Sequence, residues 1–92
     1  MKPDKVCKKY SDKKIKIKIY TESGMVFIEG TSISLEFIGK LFLAQSKFKE
    51  DCGFQIMPKG AGKIFFHNKS ERGLYIHRVP CKGNETGTRK RK

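Results

Sequence analysis

Residues 31–52 carry the strongest amphipathic helix pattern in the chain. At 100° per residue, the apolar side chains gather on one wide face. They are Ile33, Leu35, Phe37, Ile38, Leu41, Phe42, Ala44 and Phe48. Thr31 can cap the N-terminus and Gly53 can end the helix. The pattern predicts a helix over 31–52 that covers a β-sheet.

Strict alternation of lysine and isoleucine over residues 14–19 predicts a β-strand with one apolar and one cationic face. Residues 21–24 have turn chemistry, and residues 25–29 predict the second strand of a hairpin. Val26 and Ile28 are expected to face the helix, which turns Phe27 outward.

The boundary between this hairpin and the helix has two interpretations. Apolar and polar residues also alternate over 33–37, so the second strand could continue to about residue 37. The sequence Gly-Thr-Ser at 30–32 is an ordinary break between a strand and a helix and favours the early helix start.

Three short strands are predicted in the second half of the chain, at 54–57, 64–67 and 74–79, the last two as a hairpin. The order is then ββαβββ, an α+β fold with one long helix on one face of a mainly antiparallel sheet. Residues 13–81 are expected to form a single small domain. Residues 1–12 are expected to be a flexible basic arm, and residues 82–92 a disordered basic tail.

The chain has 21 Lys and Arg against 9 Asp and Glu, a formal net charge of +12 in 92 residues. Residues 1–18 hold eight lysines and two aspartates, whereas residues 19–30 hold only two glutamates. A charge of this size indicates an anionic partner: nucleic acid, an anionic membrane surface or an acidic protein.

Three cysteines cannot all pair within one chain, and none lies in a CxxC motif. We therefore expect reduced thiols in a cytoplasmic protein. The N-terminus has no apolar segment typical of a secretory signal, and no apolar run is long enough to cross a membrane. No membrane partner is expected.

Two motifs with possible cofactor chemistry are rejected. The loop Lys-Gly-Ala-Gly-Lys at 59–63 resembles a phosphate-binding loop, but Met57 and Ile64 occupy its required Gly and Ser/Thr positions. His67, His77 and Cys81 have no recognised zinc-ligand spacing. We expect no cofactor and no metal site.

A ribonuclease or toxin-like activity is the third functional hypothesis, because Tyr75, His77 and Arg78 could supply a general base and cations. Residues 52–68 (CGFQIMPKGAGKIFFHN) resemble the hairpin of HicA-type messenger-RNA interferases. That family's histidine would fall at about Gly62 or Lys63 and is missing, so the chain is not assigned to the family. The sequence leaves enzymatic activity undecided, favours a non-enzymatic protein, and assigns no catalytic residue.

The leading hypothesis is a non-enzymatic RNA- or single-stranded-DNA-binding protein. Alternation places lysines and aromatic residues together on the sheet face opposite the helix, where lysines can neutralise phosphates and rings can stack on bases. That outward set also includes Phe65 and His67. The candidate binding residues are Lys14, Lys16, Lys18, Tyr20, Phe27, Lys59, Lys63, Tyr75, His77 and Arg78.

The competing hypothesis is a protein-interaction module. A module of this kind would bind an acidic partner or form a homodimer through the lysine and aromatic face of the sheet. Inhibitors, immunity-type proteins and regulatory subunits are examples. Surface lysines can also serve only to prevent aggregation of edge strands.

Overall fold

The computed structural model describes residues 2–81 and confirms an α+β fold with one long helix and antiparallel sheets. The elements are α1 (Pro3–Tyr10), β1 (Ile17–Glu22), β2 (Met25–Gly30), α2 (Ser32–Lys47), β3 (Gly53–Ile56), a 3-10 helix (Gly60–Phe65) and β4 (Leu74–His77). β1 pairs with β2, and β3 pairs with β4, in two separate two-stranded sheets. The predicted ββαβββ order and single sheet are therefore not confirmed. The predicted tail, residues 82–92, lies outside the described residues.

The hydrophobic core is centred on α2. Phe37 and Leu41 of this helix are completely buried, as its apolar pattern predicts. The Phe37 ring lies 5.4 Å from the ring of Tyr10 and 4.5 Å from that of Phe65, measured between centroids. The buried cluster thus joins residues from both halves of the chain: Val6, Tyr10, Ile15, Ile17, Ile19, Phe37, Ile38, Leu41, Ala44, Ile56, Phe65 and Phe66.

The prediction of a flexible arm over residues 1–12 is wrong for residues 3–10, which form α1 against α2. Pro3 occupies the first turn, where its missing N–H costs no helical hydrogen bond. Val6 and Tyr10, one helical turn apart, are both buried in the core. The Tyr10 hydroxyl also donates a 2.5 Å hydrogen bond to Glu36 of α2. Three buried residues, Pro3, Val6 and Tyr10, therefore fix a segment that is otherwise highly charged.

The β1–β2 hairpin turns at Ser23 and Gly24, both of which have positive φ. Two such residues match the twist of a tight hairpin, and only glycine adopts this conformation without strain. β1 begins at Ile17, three residues later than predicted, so Lys14 and Lys16 precede the strand. The second strand agrees with its prediction to one residue.

One edge of β1 is paired with β2, and the other is covered by residues 66–72. The N–H of His67 donates to the Ile17 carbonyl at 2.8 Å, and the Ile19 N–H donates to Ser70 Oγ at 2.9 Å. β2 is consequently the free edge. Val26 and Ile28 were expected to be covered by the helix, but both are exposed. Of the hairpin's core-facing residues, Ile17 and Ile19 of β1 are buried in the cluster around α2, whereas those of β2 are not.

The long helix is capped as predicted by Thr31, whose Oγ1 accepts a 3.4 Å hydrogen bond from the Ser34 N–H. It ends at Lys47, five residues before the predicted end at Cys52. The buried Gln45 side chain donates to the Asp51 carbonyl at 3.3 Å. This side-chain contact stabilises a non-helical turn after the helix.

Residues 64–67 do not form the predicted strand. Residues 60–65 form a 3-10 helix instead, and Phe65 and Phe66 are both buried. Adjacent residues of a strand point to opposite faces, so a strand could not bury both rings in one core. The change from helical to extended backbone at Phe66 makes this possible. β4 therefore pairs with β3, and the predicted last hairpin is wrong.

The expectation of reduced thiols is also wrong, because Cys52 and Cys81 form a disulfide. β3 begins directly after Cys52, and β4 ends four residues before Cys81. Antiparallel pairing brings these positions together, with a Cα–Cα distance of 5.7 Å. Only Cys7 is free among the described cysteines.

The disulfide removes one reason for expecting a cytoplasmic location, since disulfides persist mainly in oxidising compartments. Within residues 2–81, no helix has both the length and the apolar character needed to cross a membrane.

Candidate nucleic-acid interface

Three of the candidate lysines lie on one short stretch beside the hairpin. Lys14 and Lys16 are exposed in the segment before β1, and Lys18 is half-buried in β1 itself. The N–H of Lys16 donates to Ser34 Oγ at 2.9 Å, which fixes this segment against the start of α2. The backbone carrying these cations is therefore held by the core on its opposite side.

Tyr20 and Phe27 form an aromatic pair on the outer face of the hairpin, as the sequence predicts. They are directly opposite in the register, and their rings stack at 5.0 Å with an interplanar angle of 3°. The Lys18 Nζ lies 5.0 Å from the centre of the Tyr20 ring, within cation–π range. The structure thus brings together Lys18, Tyr20 and Phe27.

The same face also carries acids that the sequence analysis did not consider. Glu29 is opposite Lys18, and its carboxylate accepts a 2.6 Å hydrogen bond from the Tyr20 hydroxyl. This hydrogen bond, followed by burial and the charges of Glu29 and Glu22, raises the pKa of Tyr20 to about 12. Strand alternation places Glu22 and Glu29 outward with Phe27, so the signal was present in the sequence. The outer face of the hairpin is therefore mixed in charge.

Tyr75 and His77 lie on the exposed face of β4, in the other sheet, and do not extend the face of the hairpin. Their rings meet edge-on at 6.0 Å. The Tyr75 ring packs over Gly53, where a Cβ would collide with the ring. Glycine at this position therefore allows the ring to lie flat on the sheet with most of its surface exposed.

The other candidate cations are dispersed. Lys59 and Lys63 are exposed at the start and in the last turn of the 3-10 helix. Arg78 is half-buried, and its Nη2 donates to the Phe48 carbonyl at 2.8 Å just after α2. One end of the Arg78 guanidinium is thus occupied by a hydrogen bond within the protein, which weakens the assignment of Arg78 as a nucleic-acid contact.

Two residues of the predicted outward aromatic face have other roles. Phe65 was expected on the open face but is buried against Phe37. His67 is exposed, and its Nδ1 accepts a 3.0 Å hydrogen bond from the Lys69 N–H. These two side chains do not contribute to a continuous aromatic surface.

A groove between α1 and α2 is the site that sequence reasoning missed, because α1 was assigned to a flexible arm. It has a volume of about 500 Å³. Its lining residues are Lys9, Tyr10, Lys13, Ile33, Glu36 and Lys40. Hydrogen bonding to the Glu36 carboxylate, followed by burial and the charge of Glu36, raises the pKa of Tyr10. The detectable signal in the sequence was the spacing of Val6 and Tyr10.

The cysteine and histidine chemistry gives no further site. Burial and the charge of Asp4 raise the pKa of the Cys7 thiol to about 11, so it is protonated at neutral pH. No group of three or more possible metal ligands occurs within residues 2–81.

Most of the cationic side chains of residues 2–81 form no ion pair with a carboxylate of the same residues. In the described part of the chain, Lys2 and Glu50 form the single ion pair within 4 Å, at 3.6 Å. Lysines outside such pairs are free to neutralise the phosphates of a nucleic acid and to displace the cations condensed on it.

No protein family, curated protein sequence or solved structure matches this chain.

Proposed function

We propose that this protein is a non-enzymatic binder of RNA or single-stranded DNA. The observation that carries the proposal is the near absence of ion pairs among residues 2–81 of a chain with net charge +12. Each lysine that contacts a phosphate releases condensed counterions, which is the main sequence-independent source of affinity for nucleic acids.

Lys14, Lys16 and Lys18 are the proposed backbone contacts, and Tyr20 with Phe27 is the proposed base contact. A ring pair beside an ammonium group suits a stacked base followed by a phosphate. Glu22 and Glu29 limit how closely a phosphate approaches the centre of the hairpin. The strand is therefore expected to follow the lysine edge and to place a base against the rings.

Tyr75 and His77 are the proposed second stacking position, with Lys59 and Lys63 as outlying phosphate contacts. Tyr75 is 62% exposed, so a base can reach its ring without displacing other residues. The α1–α2 groove adds further cations, of which Lys13 directly precedes Lys14 in the chain. No recognition helix is required for this mode of binding, in contrast to proteins that read duplex DNA.

The test replaces Lys14, Lys16 and Lys18 by Gln and measures oligonucleotide binding by fluorescence anisotropy across a salt series. The slope of log K against log salt should fall by roughly 2, at about 0.7 per single-strand contact. The matched control replaces Lys5, Lys47 and Lys49, which removes the same charge elsewhere. Equal changes in both variants would leave only diffuse attraction and contradict the proposed surface.

The free edge of β2 favours the second candidate function, a protein-interaction module that forms a homodimer. In a hairpin with a two-residue loop, the N–H and C=O groups of Val26 and Ile28 point away from β1. This edge carries no lysine or proline, the usual protection against strand pairing. A second copy could pair antiparallel along it.

The self-association test compares Val26→Lys with Met25→Lys by analytical ultracentrifugation. Both residues are exposed on β2 but lie on opposite faces of the hairpin. A dimer that packs Val26 against its copy should dissociate only in the first variant. A monomeric wild-type protein would exclude this candidate.

A further inference from the structure

The α1–α2 groove is built around one fixed polar contact. The Tyr10 ring is buried, and its hydroxyl donates to Oε2 of Glu36 across the two helices. Ile33 adds an apolar, half-buried patch to the lining. The groove therefore has an ordered floor, formed by residues that also hold α1 in place.

Three lysines surround this floor: Lys9 on α1, Lys13 just after α1 and Lys40 on α2. Although Lys40 is four residues from Glu36 on the same helix, these two side chains form no ion pair within 4 Å. Nor do Lys9 or Lys13 pair with any carboxylate of the described residues. The lining thus presents three uncompensated ammonium groups against one carboxylate, which is already bonded to Tyr10.

We propose that this groove binds a phosphate monoester carried by a nucleotide unit. Three ammonium groups and one carboxylate give the lining a charge of +2, and a phosphate monoester carries about −1.5 to −2 at neutral pH. A phosphodiester carries only one negative charge and matches the groove less well. A volume of about 500 Å³ is within the range of small-molecule sites, so it holds more than the phosphate.

The monoester belongs either to a free mononucleotide or to the phosphorylated end of a nucleic-acid strand. In the second case the inference rests on the proposed nucleic-acid function and adds recognition of a strand end to it. Ile33 can contact the sugar or base in either case, and the remaining oxygen of Glu36 can accept a hydrogen bond from a ligand hydroxyl or amino group.

The first experiment measures the affinity of the wild-type protein for two matched pairs of probes at low salt. One pair is adenosine monophosphate and adenosine, and the other is one oligonucleotide with a 5′-phosphate or a 5′-hydroxyl. Charged hydrogen bonds to the phosphate should give at least about a tenfold preference for the phosphorylated member. A preference in the first pair assigns a free nucleotide, and a preference in the second alone assigns a strand end. Equal affinities within both pairs would overturn the proposal.

The second experiment locates the site. Replacing Lys9, Lys13 and Lys40 by Gln should abolish the preference for phosphate, whereas the control variant at Lys5, Lys47 and Lys49 should keep it. Loss of the preference to the same extent in both variants would overturn the assignment to the groove. All six lysines are exposed, so both proteins should fold.

Chemical-shift mapping of the wild-type protein provides a readout that does not depend on variants. Addition of adenosine monophosphate, or of the 5′-phosphorylated oligonucleotide if only that probe binds, should shift the amide resonances of Lys9, Lys13, Ile33 and Lys40. Binding without shifts in these residues would overturn the proposal. If the hydroxyl-ended oligonucleotide fails to bind while the mononucleotide binds, the broader nucleic-acid function fails and the groove remains.

Discussion

The β1–β2 hairpin and the β3–β4 sheet each have two antiparallel strands, but they are attached to the protein differently. In β1, Ile17 and Ile19 are buried, and the second edge of the strand is covered by residues 66–72. β3 and β4 bury mainly Ile56 and are closed at one end by the Cys52–Cys81 disulfide and by the Arg78 N–H, which donates to the Cys52 carbonyl.

This difference shows how a small domain can combine two sources of stability. A domain of this size has a limited core, and regions that contribute little apolar surface to it need covalent or polar support. The hairpin depends on the burial of Ile17 and Ile19 in the core, whereas the β3–β4 sheet depends more on the disulfide. The outer faces of the two sheets differ as well, since the hairpin carries Lys18, Glu22 and Glu29, whereas β3 and β4 contain no lysine, arginine or acid.

Phe37→Ala should have the largest effect on the core-packed half. The fully buried Phe37 ring contacts both Tyr10 and Phe65, and its removal leaves a cavity between them. The substitution should lower the free energy of unfolding by about 3–5 kcal/mol. The control is Phe42→Ala on the same helix, where the ring is 45% exposed. Urea denaturation measures both. Equal losses would show that α2 does not organise the core through Phe37.

Removing the disulfide should have the next largest effect and should act on the other half. The Cys52→Ser, Cys81→Ser double variant opens a loop with a sequence separation of 29, which predicts a loss of about 3.6 kcal/mol. Amide hydrogen exchange should accelerate in β3 and β4 while β1 remains protected. Cys7→Ser is the control. Uniform acceleration in both sheets would contradict their separate support.

Val6→Ala tests whether α1 belongs to the packed half. Val6 is buried against the core, so truncation should cost about 2 kcal/mol. Val79→Ala removes the same atoms from a residue that is 76% exposed and should be nearly neutral. If both variants have the thermal midpoint of the wild type, α1 does not pack on α2 in solution, and the flexible arm predicted from the sequence is correct.

The smallest expected effect is a loss of stability at high pH from the ionisation of Tyr20 on the outer face of the hairpin. The hydrogen bond to Glu29 raises the folded pKa of Tyr20 to about 12 from its ordinary value of 10.0. Its contribution to stability is therefore complete below pH 10 and is lost as the pH rises toward 12. The wild type should lose slightly more thermal stability than Tyr20→Phe between about pH 9 and pH 12. Parallel losses in the two proteins would contradict the raised pKa.

The sequence predicts the parts of the fold in which local pattern and tertiary contacts agree. The cap at Thr31, burial of Phe37 and Leu41, and the β1–β2 hairpin all follow from periodicity and turn chemistry. The short helix α1 was missed because its three buried residues, Pro3, Val6 and Tyr10, give little periodic signal in eight residues.

The remaining errors arise from contacts between distant segments. The consecutive apolar residues at 64–66 are typical of a strand, but burial of both Phe65 and Phe66 in one core requires a change in backbone conformation. The partner of Cys52 depends on the pairing of β3 with β4, which the cysteine spacing does not encode. The α1–α2 groove was not predicted for the same reason, since it forms only when α1 packs against the distant helix α2.

A salt titration of wild-type binding to a single-stranded oligonucleotide tests the proposed function most directly. If free lysines bind phosphates, log K should fall linearly with log salt, with a slope of at least about −2 for three contacts. The same slope should be found for oligonucleotides of different sequence. Absence of binding at low salt, or an affinity independent of salt, would contradict nucleic-acid binding through these lysines.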